Sequence, residues 1–125
     1  MATKKIKGKI YDNVDAQEFY VPVFNQYYYL IFGKDNWQRL CAADPDFAKF
    51  AHDGDNNGMV ACNTDTNRIY VWFADFSKAE SGTLAHECVH LAKAILNCRG
   101  VKQHDEELLA HLVGYLYKEM RPHFE

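Results

Sequence analysis

The chain has 125 residues, 48% hydrophobic and 14% aromatic, enough apolar surface for one core and too much for a disordered segment. Its net charge of −3 argues against nucleic acid as a partner, because a phosphate backbone calls for a clustered basic surface. No stretch reaches the ~18 apolar residues of a membrane span, so neither nucleic acid nor membrane is expected as a partner.

The N-terminus, MATKKIKGKIYDN, lacks the apolar core of a secretory signal. The cytoplasm is therefore the expected compartment, with Cys41, Cys62, Cys88 and Cys98 as reduced thiols. The basic run Lys4 to Lys9 reads as a solvated strand or tail. Residues 5–11 alternate polar and apolar, which predicts a short strand. Asp15-Ala16-Gln17-Glu18 has the form of a capping box, which predicts a helix running toward Gly33. Against it stand Pro22 and the β-favouring YYYLIF run. Asn36 is placed to cap a short helix through Trp37, Leu40 and Cys41, broken at Asp44-Pro45, and residues 46–52 read as a further turn or two of helix.

Residues 53–58, DGDNNG, form a loop signal. Residues 59–63 and 68–73 flank the polar turn 64–67, which predicts a β-hairpin. Ile69, Val71 and Phe73 fall on one face of its second strand, Tyr70 and Trp72 on the other. Ser77-Lys78-Ala79-Glu80 is a second capping-box pattern, introducing a helix through Leu96 with Gly100 near its stop. A last helix spans Asp105 to Met120, ended by Pro122. The order predicts a single α+β domain over residues 1–125, with a small antiparallel sheet or hairpin packed on two long C-terminal helices.

The chemistry concentrates in TLAHECVHLAKAIL, residues 83–96. Positions four apart share a helix face, so His86 and His90 can direct two imidazoles at one point, as tetrahedral zinc requires at ~2.0–2.1 Å per bond. Glu87 is rotated ~100° from His86; it suits a base acting on a zinc-bound water better than a further ligand. The competing reading is a helix with two surface histidines and a surface glutamate. A catalytic zinc keeps three protein ligands and one open position. The last helix offers Glu106 and Glu107 beside its apolar stripe, with His111 one turn on. The short connection, residues 97–104, favours an antiparallel pair of helices, which returns the start of the last helix toward His90.

His86-Glu87-Cys88-Val89-His90 followed by Glu107-Leu108-Leu109-Ala110 resembles the gluzincin zinc metallopeptidases, and the compact size is similar to small ImmA/IrrE-like or phage-encoded metallopeptidases. The resemblance covers residues 59–117. It implies a minimal zincin-like domain holding one Zn2+ through His86, His90 and Glu107, with Glu87 as general base. It further implies peptide-bond hydrolysis on a peptide or protein substrate. A one-residue slip would exchange Glu106 for Glu107. His111 stands where many relatives carry aspartate or asparagine. His104, His111 and Tyr115 are candidate oxyanion donors, and strand 68–73 is either a cleft edge that pairs with extended substrate or an internal strand. The alternative function is a catalytically silent zincin-like module that holds metal and binds or regulates a protein partner.

Residues 53–58 copy the first half of a calcium-binding EF-hand loop, but Thr64 stands where a bidentate glutamate belongs, so a plain turn is expected. Cys88 is expected as a buried small residue. It cannot bridge to Cys98, which lies ~15 Å along the same helix.

Overall fold

A computed structural model describes residues 9–11, 13–44, 57–63, 66–79, 82–101 and 105–124. The expected helix over 46–52, the loop residues 53–56 and His104 lie outside these. Six strands and three helices are present among the described residues. Strands β1 (Lys9–Tyr11) and β2 (Val14–Asp15) pair antiparallel. Strands β3 (Gln17–Val21), β4 (Gln26–Phe32), β5 (Gly58–Asn63) and β6 (Arg68–Phe73) form one sheet in the order β3-β4-β6-β5. The helices are α1 (Lys34–Ala43), α2 (Thr83–Cys98) and α3 (Glu106–Met120). None of the described helices is long and apolar enough to cross a membrane.

The period-2 rule assigns the two faces of the sheet. Tyr28, Leu30 and Phe32 of β4 and Ile69, Val71 and Phe73 of β6 join Leu84, Cys88, Leu91 and Ile95 of α2 and Leu112, Leu116 and Met120 of α3. Tyr29, Ile31, Tyr70 and Trp72 face the other way, onto Trp37 and Leu40 of α1. Both central strands are thus covered on two sides, which explains their almost unbroken apolar runs. The molecule is three layers: α1, sheet, then α2 with α3.

Four sequence expectations are corrected. The helix expected from Asp15 to Gly33 is the antiparallel hairpin β3–β4. Its turn is a 3₁₀ segment at Pro22–Phe24 closed by Asn25 in the left-handed region. Glu18 does not cap a helix; its carboxylate accepts from the Tyr29 hydroxyl at 3.0 Å, its partner across the ladder. A local capping pattern loses here to aromatic strand packing. Gly33, at φ 92°, ends the strand and precedes α1, and Asn36 lies inside that helix. The sheet is mixed, because β4 and β6 run parallel. The helix expected from Ser77 starts later: Ser77 N–H donates to the Asp75 carboxylate at 2.8 Å, residues Phe76–Ala79 form a 3₁₀ turn, and α2 begins at Thr83 after Gly82, φ 83°, while Glu80 lies outside the described residues.

The 59–63/68–73 hairpin is present in register, with Val60 opposite Val71. So is the last helix, where the Asp105 side chain accepts from Glu107 N–H at 2.8 Å. Gly100, at φ 78°, follows the end of α2. Strand β6 is internal, flanked by β4 and β5; the edge nearest α2 is β5.

Candidate metal centre and cleft

Helix α2 separates its faces by its period. Leu84, Cys88, Leu91, Ala92, Ile95 and Leu96 are fully buried against the sheet and α3. His86, His90, Lys93 and Asn97 follow one another along the opposite side. They line an open cleft of about 680 Å³ whose far wall is β5, from Gly58 to Cys62.

Within that cleft the two imidazoles converge. His86 Nε2 and His90 Nε2 are 3.2 Å apart and their ring centroids 4.9 Å. Two ligand atoms bound to tetrahedral zinc at ~2.0–2.1 Å stand ~3.3–3.4 Å apart, so the pair already has the spacing of two zinc ligands. The side chain of His86 is 68% exposed while that of Glu87 beside it is only 8% exposed. Glu87 Oε2 lies 3.9 Å from His86 Nε2, at the floor of the same cleft. Burial holds the Glu87 carboxyl above its ordinary range, partly offset by His90 and His86.

Gly58 explains how the wall comes so close. A Cβ built there would meet Glu87 Cγ and Thr83 Cγ2, each at 2.9 Å. Only a glycine lets the first residue of β5 lie directly on the base of the cleft. The EF-hand pattern read from residues 53–58 therefore ends, at Gly58, in a strand that packs on α2.

Glu107 stands apart from the histidines. It occupies the first turn of α3, about 140° around the helix from the buried Leu112, and its carboxylate is 3.8 Å from His111 Nε2. Both side chains are more than four-fifths exposed, so this is a solvated pair that costs little to break. Glu106 is also exposed. Among the described residues no three His, Cys, Asp or Glu side chains converge as a metal cage. The donor set thus fits zinc at two positions, His86 and His90, and the third is not met by Glu107 in this arrangement. His111 and Tyr115 line a separate apolar groove with Val21, Phe24 and Leu112.

Sequence reading gave Lys93, Asn97, Thr83, Gly58 and Cys62 no place at this cleft. The first two carried a usable signal, since they continue the helix face of His86 and His90 at the seven- and eleven-residue offsets. Comparison with protein-family models, curated proteins and solved structures gives no match.

Proposed function

We propose that the cleft between β5 and α2 is a zinc-dependent peptide-hydrolysing site of the gluzincin type, in a minimal zincin-like domain. The carrying observation is the 3.2 Å approach of the two Nε2 atoms beside a buried carboxylate in an open cleft. His86 and His90 would hold the metal, and the E-x-x-A resemblance would make Glu107 the third ligand, which requires it to leave its exposed pairing with His111. When bound, zinc supplies Lewis-acid polarisation of a peptide carbonyl and acidification of water.

The chain's own residues do the rest. Glu87 takes the proton from the attacking water and returns it to the leaving amine nitrogen. A carboxyl raised by burial is a better proton acceptor and donor near neutral pH than an ordinary one. Lys93, one turn beyond His90, lines the cleft, and its ammonium group is the donor for the developing oxyanion. The outer backbone edge of β5 offers an extended substrate a strand to pair with; strand 68–73, for which a cleft edge and an internal place were both open, is internal.

The exposed, outward Glu107 favours the second reading, a metal-binding module that engages a protein partner without turnover. Two variants separate the readings. On the hydrolase reading Glu87→Gln keeps zinc and lowers cleavage of a peptide library by ~10²–10⁴-fold, and Glu107→Ala weakens zinc binding by tenfold or more. Zinc affinity unchanged in Glu107→Ala, with no cleavage by the wild-type chain, establishes the module instead.

A further inference from the structure

Cys62 and Cys98 are 36 positions apart in the chain, yet their Sγ atoms stand 3.3 Å apart, sharing a thiol hydrogen bond. Cys62 lies on β5, the wall of the histidine cleft, and Cys98 is the last residue of α2. We propose that these two residues form a redox site, closing to a disulfide by exchange with a small-molecule disulfide of the oxidised-glutathione class. The cross-link would fasten the edge strand to the end of the histidine helix.

The geometry favours this pair over the other cysteines. A disulfide needs Sγ atoms ~2.05 Å apart, and these already stand at 3.3 Å. Both are partly exposed, which admits a small reagent, whereas Cys88 is fully buried among α2's core contacts. Cys41 packs with the cluster on the opposite face of the sheet. The site does not depend on zinc in the cleft.

The exchange balances without further reagents. The Cys98 thiolate attacks one sulfur of the small disulfide, breaks its S–S bond and releases one thiol, which carries the proton Cys98 gave up. Cys62 then loses its proton, its thiolate attacks Cys98 Sγ, and the mixed disulfide breaks to release the second small thiol. The protein loses two electrons and two protons; the reagent gains them. Burial, and then the hydrogen bond with Cys98, push the Cys62 thiol up to about 12, which makes Cys62 a slow opening nucleophile, so the opening attack is assigned to Cys98.

The test uses the full reduced chain incubated with oxidised glutathione, then alkylated and digested without reductant. The expected result is loss of two of the four free thiols, one linked peptide pair joining Cys62 to Cys98, and reversal by dithiothreitol. Closing a loop of this length restricts the unfolded chain, so the oxidised protein should melt about 5 °C or more above the reduced one. Cys62→Ser should stop at a single glutathione on Cys98. Retention of all four thiols in the folded chain, linkage through Cys41 or Cys88, or wild-type protein that stops at unlinked glutathione adducts would overturn the proposal.

Discussion

Glu87 carries a charge to a place where only 6% of its surface meets solvent. Burial raises its pKa, so the fold favours the protonated form. That stabilisation is complete below the ordinary value of 4.5 and is lost as pH rises through the raised folded value. Burial of this carboxyl therefore weakens the metal-free fold at pH 7 relative to pH 4, and Glu87→Gln should raise its Tm at pH 7, with the gap closing toward pH 4. Calorimetry of both chains at the two pH values checks this; a lower Tm for the variant at pH 7 would mean that the charge is well compensated. Lys93→Met should leave zinc content unchanged and lower kcat by ~10-fold or more if the ammonium meets the oxyanion; a rise in KM alone would assign it to substrate binding. The His86-Glu87-His90 constellation was legible because it is local to one helix. Nothing in the spacing of Cys62 and Cys98 announces their contact, since strand β5 and the end of α2 meet only through the fold.

The edge strand β5 and helix α2 approach through Gly58, and that contact can be tested by adding one methyl group. Gly58→Ala places a Cβ against Glu87 and Thr83, and overpacking of this kind costs ~1–3 kcal/mol. Chemical denaturation should show that loss, together with weaker zinc binding as the wall moves; an unchanged unfolding midpoint would mean that β5 yields freely. On the far side of the sheet, Trp37 of α1 meets Trp72 of β6 edge-on at 4.5 Å, and the Trp72 indole N–H donates to the Gly33 carbonyl at 2.7 Å. Truncating Trp37 to alanine should cost ~3–5 kcal/mol without altering the cleft. The hairpin β5–β6 and helix α3 could be read from period and caps, because their local signals agree with their packing. The hairpin β3–β4 could not: Asp15 to Glu18 spells a helix start, and only cross-strand partners such as Glu18 and Tyr29 reveal the strand.

For the molecule as a whole, the α+β class was readable from element order, but the parallel β4–β6 pairing was not, because it depends on contacts between residues about forty positions apart, such as Tyr28 and Ile69. The three-layer core also sets the pH limits of the fold. Tyr28 is raised above its ordinary 10.0 by burial, and burial pushes Cys88 up to about 12 from 9.0. The unfolded chain ionises these groups first, so stability is full below pH ~9 and falls progressively above it. Thermal melts from pH 8 to 11 should show a declining Tm, and Tyr28→Phe should flatten the decline above pH 10. The central claim concerns one cation between two imidazoles. Zinc titration of the metal-free chain, followed by calorimetry in wild type, His86→Ala and His90→Ala, tests it directly: the wild type should bind one equivalent and each variant none, whereas equal binding in all three, or no binding in any, would contradict the account.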